Sequence, residues 1–259
     1  RDKYNVGEKV SLKGSLLLDN GGQGSLNVNL NCVNESLTVY FTLFDLGSSE
    51  PYFFNIESPT KSSLIGSCNL VAATEGLTQN FEKTSEDFFI TDKLNVDVVS
   101  DKILALPGDV VLISGSARMV SGDVVDKGTV SLSVDSEDKA IEFKDGLFEL
   151  PLQLSTNIKS GKHDIVFTVE DDKGNKGQDE TNFKVSQVPT NINLDITGSP
   201  YSPSDSIFGS LYLYDQAGDL IDAIGAVEVY NTVGDIEFSM SVPSSGSFEF
   251  KLDQFSIPG

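Results

Sequence analysis

The sequence predicts an all-β fold of tandem sandwiches, from its composition, an alternating apolar pattern and an internal repeat. Alanine occurs only eight times and arginine twice among the 259 residues, whereas Ser, Thr, Val, Gly and Asn are frequent. Helices depend on Ala, Leu, Glu, Arg and Lys, so this composition favours strands. The apolar residues amount to 39% of the chain. That content is enough for packed cores, and the acidic charge is expected on a solvated surface.

Two short motifs recur at an interval near 100 residues, which is the length of a domain and not of a solenoid repeat. The opening motif carries an acidic residue and then a Gly-Ser pair, at 14–15, 115–116 and 209–210. The second motif, Gly-x-Phe-Glu, begins at Gly146 and Gly246 and is looser in the first copy, around 52–56. The chain therefore divides into three predicted copies: repeat 1 (1–93), repeat 2 (94–187) and repeat 3 (188–259).

Apolar residues alternate with polar ones within each repeat, as in strands that bury one face. The alternating positions include the following residues: Leu37, Val39, Phe41 and Leu43 in repeat 1, and Val130, Leu132, Val134, Ile165, Phe167 and Val169 in repeat 2. Turn clusters rich in Gly, Asn and Asp separate these runs. About seven strands in ~100 residues predict three tandem immunoglobulin-like β-sandwiches. The short linkers at 91–94 and 186–190 predict a semi-rigid rod.

Two segments carry a resemblance to known domains. The sequence IVFTVEDDKGN at 165–175 resembles the penultimate strand and turn of bacterial and archaeal Ig-like domains. The sequence PGDV at 107–110 is similar to the first strand of those domains and of macroglobulin-type sandwiches. The resemblance implies tandem Ig-like modules of a cell-surface protein and no particular activity, because a fold does not determine a function.

The Ig-like topology also bears on the two cysteines. Aligning Gly66 with Gly161 places Cys68 at the start of the penultimate strand, which neighbours the strand of Cys32 in that topology. We therefore expect a disulfide; the alternative is two unrelated thiols that a cytosolic chain would keep reduced. Asn34 begins the chain's single Asn-x-Ser/Thr sequon and is a candidate glycosylation site in an extracellular setting.

Acidic turns allow a calcium site to be considered. Glu170, Asp171, Asp172 and Asn175 could supply carboxylate and amide oxygens, as could the acidic turns at 123–126 and 215–219. None of these runs has the spacing of an EF-hand loop, and Asp and Asn also favour turns for conformational reasons. Calcium and a purely conformational role both stay open, and no other cofactor is predicted.

Several function classes are excluded by charge and composition. A net charge of −21 opposes binding to nucleic acid. No run approaches ~18 consecutive apolar residues, so no membrane-spanning segment is predicted in this chain. The single histidine, His163, has no nucleophile motif beside it and is predicted to face solvent. The absence of tryptophan disfavours a stacked-sugar site, so the chain is predicted not to be an enzyme.

Repeat 3 is predicted to lack its last hairpin. The strand that begins at Gly146 is followed by two more strands in repeat 2, whereas the strand that begins at Gly246 is expected to run to 258–259. Either the missing residues belong to a longer parent, or another subunit donates a strand. The predicted acceptor edge for such a strand consists of Leu211, Leu213, Phe248 and Phe250.

The predicted function is a non-catalytic extracellular segment of a surface-layer, filament or adhesin type, which acts as a rigid spacer and assembly module. Its expected partners are other copies of itself or other cell-surface proteins. The alternatives are an adhesin that binds a glycan or protein through its loops, and the accessory region of a large secreted hydrolase.

Overall fold

The computed structural model describes residues 2–48, 50–134, 137–198 and 200–254. Throughout these residues the chain is nearly all β, without an α-helix; one 3₁₀ turn covers Ser62–Leu64. The strands form several sheets, which confirms the all-β, Ig-like sandwich class predicted from the sequence, whereas the number of sandwiches stays a prediction. By internal contacts the chain divides into two compact units. Unit 1 comprises Arg1–Val99, Ser114–Leu150 and Ile165–Thr181, and unit 2 comprises Ser100–Ile113, Pro151–Asp164 and Asn182–Gly259. The three repeat boundaries stay a prediction.

The described part of repeat 1 contains eight strands in two sheets. They are β1 (Lys3–Asn5), β2 (Lys9–Leu16), β3 (Gly22–Cys32), β4 (Ser36–Leu46), β5 (Tyr52–Pro59), β6 (Gly66–Glu75), β7 (Glu82–Thr84) and β8 (Phe88–Thr91). One sheet has the order β1-β8-β6-β3-β4, with β7 also paired to β6, and the other contains β2 and β5. Between them lies a core that includes Val28, Leu30 and Ile90, all fully buried.

Repeat 2 has an additional strand at its start. Its strands are β9 (Leu94–Ser100), β10 (Leu104–Ala105), β11 (Val110–Met119), β12 (Lys127–Val134), β13 (Glu137–Lys144), β14 (Leu147–Gln153), β15 (Gly161–Asp171) and β16 (Lys176–Val185). β9 is the additional strand, and β10–β16 then follow the sheet order of β1–β6 and β8. Together with β9 they form one path, β10-β16-β15-β12-β13-β14-β11-β9, in which β13 and β14 are joined by a single pair, Lys144 and Leu147. Ile165, Phe167 and Val169 are fully buried, as their alternation predicts.

In repeat 3 the residues up to 254 that the structure describes form five strands. They are β17 (Pro189–Thr197), β18 (Ser206–Asp215), β19 (Ile224–Tyr230), β20 (Ile236–Pro243) and β21 (Gly246–Lys251). The sheets are β17-β18-β21 and β19-β20. β21 ends at Lys251, and residues 255–259, into which this strand was expected to continue, lie outside the described residues.

The opening motif forms the same four-residue turn in every repeat. The third turn residue has a positive φ, 89° at Gly7, 81° at Gly108 and 75° at Ser204, as a type II turn requires. The fourth residue is the acid, whose carboxylate accepts a hydrogen bond from the first residue's N–H at 2.5, 3.1 and 2.7 Å in the three repeats. The turns are Asn5–Glu8, Leu106–Asp109 and Ser202–Asp205.

The two repeated motifs meet across a pair of strands. Gly14 is paired with Phe54 and Gly209 with Phe248. A Cβ atom at Gly14, Gly115 or Gly209 would collide with the ring of Phe54, Phe148 or Phe248 respectively. A glycine is therefore required in each case, because the aromatic ring covers its backbone.

One predicted strand face is wrong in β4. Phe41 and Leu43 are 58% and 74% exposed, whereas Tyr40 and Phe44 pack against the core. The pairing with β3 shifts register between Val28 and Asn29, which leaves Val39 as an extra residue. Such a bulge reverses the alternation, so the residues that follow it face the opposite side.

Candidate functional site

A buried polar cluster, which we call the clasp, lies in unit 1 between the turn after β15 and the loop after β1. Asn175 is fully buried and Asp171 is 6% exposed. The Asn175 Nδ2 donates to Asp171 Oδ2 at 2.7 Å and to the Val6 carbonyl at 2.9 Å. The Asn175 Oδ1 accepts from the Val6 N–H at 3.1 Å. This one side chain therefore joins residues 169 positions apart.

The second half of the clasp is Asn5, which is also fully buried. Its Nδ2 donates to the Lys93 carbonyl at 2.7 Å and to Asn175 Oδ1 at 3.3 Å. Its Oδ1 accepts from the Val120 N–H at 2.8 Å. The buried Thr60 hydroxyl donates to the Asn5 carbonyl at 2.7 Å. Asn5, the last residue of β1, thus connects the segment before β9, the residue after β11 and the turn after β15.

The polar groups of the clasp satisfy one another and thereby fix the relative position of the segments that carry them. Every amide and carboxylate oxygen of Asn5, Asp171 and Asn175 accepts at least one hydrogen bond. Satisfied buried networks specify one arrangement, because each displacement leaves a polar group without a partner in a dry environment. The connection between β8 and β9 is held in the same way, since the Lys176 N–H donates to the Asp92 carbonyl at 2.6 Å.

The Asp171 turn has two counterparts of the same geometry. The three turns follow a pattern of Asp or Asn, two residues, Gly, then Asn or Asp, at 171–175, 215–219 and 231–235. In each turn the first side chain accepts from the N–H groups two and four residues later. The glycines have φ of 86°, 82° and 94°. The acidic turns considered for calcium at 170–175 and 215–219 therefore have a conformational explanation.

In unit 2 the turn at 215–219 holds a buried carboxylate. Asp215 is 2% exposed, and the Ser160 hydroxyl donates to its Oδ2 at 2.8 Å. Burial alone would raise the pKa of Asp215, but the hydrogen bonds from Ser160 and from the N–H groups of Asp219 and Ala217 outweigh it and lower the pKa. Beside it, the Gln216 Nε2 donates to the Ile158 carbonyl at 2.9 Å.

This lowered pKa predicts an acid-sensitive turn. The carboxyl group of Asp has a pKa of ~3.9 in an unfolded chain. When folding lowers this pKa, the ionised group stabilises the folded state fully above the unfolded pKa, and this stabilisation is lost as the pH falls through the folded-state pKa. We expect hydrogen-exchange protection of the Ala217 and Asp219 amides to decrease below about pH 4. Asp215→Asn should remove this pH dependence, because Asn231 makes the same turn with a group that does not titrate. An unchanged pH profile in this variant would contradict the assignment.

The expected disulfide joins Cys32 and Cys68, whose Cα atoms are 4.1 Å apart. The two residues are directly opposite each other on β3 and β6. Cys32 donates its N–H to Glu35 within its own hairpin, so the pair is of the close, non-hydrogen-bonded kind. Asn34 is exposed in that hairpin, and its glycosylation stays a prediction.

The four residues predicted for calcium do not converge on one point. Asp171 and Asn175 belong to the clasp, whereas the Asp172 carboxylate contacts Lys173 and Lys127 at 3.2 and 3.4 Å. Glu170 forms an ion pair with Lys176 at 3.0 Å. Among the described residues no group of three His, Cys, Asp or Glu side chains is arranged to hold a metal ion. Calcium binding is not tested by this geometry and stays a prediction.

Two further expectations need correction. His163 is 8% exposed and stacks on Phe183 with ring centroids 5.5 Å apart, so the prediction that it faces solvent is wrong.

Leu211 and Leu213 lie on β18, which is paired on both sides, so they are not on a sheet edge. Phe248 and Phe250 lie on the outer strand β21, where an acceptor role stays a prediction. In repeats 1 and 2 the first strand of the last hairpin is β6 or β15, and it pairs with β3 or β12 respectively. In repeat 3 the counterpart of β3 and β12 is β19.

The chain is similar to several solved structures, at low sequence identity. No protein-family model matches the sequence, and the comparison with curated proteins finds no match. A solved structure of a 1.5-MDa bacterial ice-binding adhesin is 15% identical, with 98% of this chain and 83% of that chain covered and a TM-score of 0.34. A tetra-tandem repeat from the extending region of a large adhesion protein is 14% identical, with coverages of 97% and 67% and a TM-score of 0.37.

Trypsin-activated alpha-2-macroglobulin from Escherichia coli is 14% identical, with a TM-score of 0.32. The alignment covers 98% of this chain but 21% of that protein. At such identities a likeness concerns the fold alone and transfers no activity to this chain. Among the described residues, no helix is long and apolar enough to cross a membrane.

Proposed function

We propose that the chain is a non-catalytic, extracellular structural segment of a larger surface protein, which acts as a rigid spacer and assembly module. The observation that carries this proposal is the clasp. It ties the loop after β1, the segment before β9 and the turn after β15 through two fully buried asparagines. A spacer needs joints of fixed geometry, and a satisfied polar network at a joint provides one.

The short connections between strands support the same role. β8 ends at Thr91 and β9 begins at Leu94, so two residues separate them, and the carbonyls of both accept hydrogen bonds. β16 ends at Val185 and β17 begins at Pro189, and the Val188 N–H donates to Gln216 at 2.9 Å. Linkers of this length, tied by hydrogen bonds, do not behave as flexible coils.

The disulfide supports the extracellular setting. Structural disulfides persist where the environment is oxidising and are rare in the cytosol. The net charge of −21 repels other molecules of the same kind and keeps a surface array hydrated. The proposed partners are neighbouring surface proteins and further copies of this chain, and calcium is proposed as the counter-ion that would reduce the repulsion between their acidic surfaces.

Small-angle X-ray scattering of the purified chain tests the spacer. Three sandwiches of ~13 Å radius of gyration, placed in line at the ~33 Å length of a ten-residue strand, give about 30 Å overall. A single compact globule of this length would give ~18 Å. We expect a value near the former and a distance distribution with a long tail. A value near 18 Å, or a profile typical of a flexible chain, would overturn the proposal.

A further inference from the structure

The first strands of repeat 2 and its last strand run side by side in the same direction. β10 pairs with β16 in parallel, and an isolated parallel bridge joins the residue before β9 to the first residue of β16. The pairs are Lys93 with Lys176, Leu104 with Lys184, and Ala105 with Val185. Because these strands are parallel, the chain enters repeat 2 beside the start of β16 and leaves it at the other end of that strand.

Main-chain hydrogen bonds hold the entering segment to β16 near both ends of this strand. They run from the Lys176 N–H to the Asp92 carbonyl at 2.6 Å, from the Lys184 N–H to the Ile103 carbonyl at 2.8 Å, and from the Ser186 N–H to the Ala105 carbonyl at 3.0 Å. The first bond joins residues of unit 1, and the other two join residues of unit 2. We call the row of contacts between residues 92–105 and 176–186 the seam.

A side chain supplies the contact in the middle of the seam. There β9 is paired with β11, and in the sheet order of the described residues it is not a neighbour of β16. The Asp179 carboxylate on β16 nevertheless accepts a hydrogen bond from the Val98 N–H of β9, with an N–Oδ2 distance of 2.8 Å. Val98 is buried and Asp179 is half-buried. Asp179 therefore fastens β9 to β16 where the main chains of the two strands are not paired.

Repeat 1 has the same parallel arrangement. β1 pairs with β8, with Lys3 opposite Phe89 and Asn5 opposite Thr91. The Val6 N–H extends this contact by donating to the Thr91 carbonyl at 3.0 Å. The parallel pairing with the last strand therefore belongs to the fold of the repeat and is not peculiar to repeat 2.

Short connections lead into and out of the seam. Two residues separate β8 from β9, and three separate β16 from β17. Connections of this length have little slack, so tension in the chain reaches the two ends of the seam directly. Such tension pulls parallel strands in opposite directions along their axes and loads the bonds between them at the same time. Bonds loaded together must break together, whereas bonds that are pulled from one end break one by one.

We propose that repeat 2 bears tension and that the seam is the element that resists it, with Asp179 as the positioning residue that keeps β9 beside β16. Resistance to forced unfolding is governed by the rate of unfolding and not by the equilibrium stability. Bonds that must break together before the sandwich opens raise the barrier that sets this rate. The proposal rests on the spacer role proposed above and adds that this spacer is built to be pulled.

The test pulls repeat 2 in two directions within the whole chain. Lys93→Cys with Gln187→Cys places handles at opposite ends of the seam, whereas Lys93→Cys with Lys176→Cys places both at the same end. All three side chains are exposed, and the native cysteines are joined in the disulfide. With optical tweezers at one loading rate, we expect the first pair to need at least about twofold more force, because only that pair loads the bonds together.

Substitutions on β16 test the assigned residue. Asp179→Ala should unfold about tenfold faster at fixed force when the handles are at opposite ends, because the buried Val98 N–H loses its acceptor. It should have little effect when both handles are at one end. Asp179→Asn keeps an acceptor oxygen and should restore most of the resistance. Gln178→Ala is the matched control, since the Gln178 Nε2 donates to the Thr168 hydroxyl on β15 at 3.0 Å, outside the seam, and the substitution should change neither force.

Three results would overturn the proposal. They are equal forces in the two directions, an effect of Asp179→Ala that is the same in both directions, and an equal effect of Gln178→Ala. Circular dichroism establishes that each variant is folded, and if Asp179→Ala is not, Asp179→Asn and the two directions in the parent chain decide. The scattering experiment above is independent of this test. A compact chain that still shows the directional difference would contradict the spacer and not the seam.

Discussion

Replacing both Cys32 and Cys68 with alanine should lower the opening free energy of β3 and β6 by about 3–4 kcal/mol. The bond closes a loop with a sequence separation of 36 residues and therefore restricts the unfolded chain. Its loss increases the entropy of the unfolded state, while the β3–β6 pairing that surrounds it is unaltered. Hydrogen exchange with mass spectrometry, read on peptides from these two strands, measures the change directly.

The repeat supplies an internal control for this experiment. β12 and β15 are the counterparts of β3 and β6 and are paired without a disulfide. Their exchange should be unchanged by the double substitution. Treatment of the parent chain with a reductant should reproduce the loss, and the same treatment of the variant should have no further effect. If β3 and β6 exchange equally in both proteins, the disulfide does not stabilise this sandwich.

The internal repeat that the sequence shows reflects contacts that recur with the fold. The opening motif is a four-residue turn, and its acid and left-handed residue are needed within that turn. The Gly-Ser and Gly-x-Phe-Glu motifs recur together because Gly14, Gly115 and Gly209 each lie under a phenylalanine of the neighbouring strand. Local geometry repeats with the fold, so it leaves a visible pattern in the sequence.

The alignment of Cys68 with His163 shows what such patterns do not predict, namely whether a polar residue at an inward-facing position is buried. Both residues lie two positions after the glycine that begins the penultimate strand, Gly66 or Gly161, and both face inward. The alignment was correct, but the polarity of histidine indicated an exposed position. The Nε2 atom of His163 lies 2.9 Å from the Lys159 carbonyl, and its ring stacks on Phe183, which together compensate its burial.

The clasp could not be predicted, because its members are distant in the sequence. Asn5 and Asn175 are 170 residues apart, and no local pattern associates them. The signal that was present is the turn pattern at 171–175, which recurs at 215–219 and 231–235. That pattern explains the Asp and Gly positions of the turn. It does not reveal that the last residue of one turn is fully buried while that of another, Asp235, is exposed.

Asn175→Ala should therefore reduce the free energy of unfolding by about 3 kcal/mol, since it leaves two buried acceptors without a donor. Those acceptors are Asp171 Oδ2 and the Val6 carbonyl, which receive the two Nδ2 hydrogens of Asn175. The Val6 N–H is less affected, because it also donates to the Thr91 carbonyl at 3.0 Å. Urea unfolding followed by circular dichroism measures the loss, and faster exchange of the amides at 5–8 locates it at the clasp.

Asp235→Ala is the matched control for this prediction. Asp235 occupies the same turn position as Asn175, and its backbone N–H likewise donates to the first side chain of the turn, at 2.8 Å in both cases. Its own side chain is exposed, so its removal should change stability by less than about 0.5 kcal/mol. Similar losses in both variants would mean that the turn alone matters and that the buried network adds nothing. A large loss in Asn175→Ala alone would show that the stabilisation comes from the contacts to Asp171 and Val6, which a rigid joint between these segments requires.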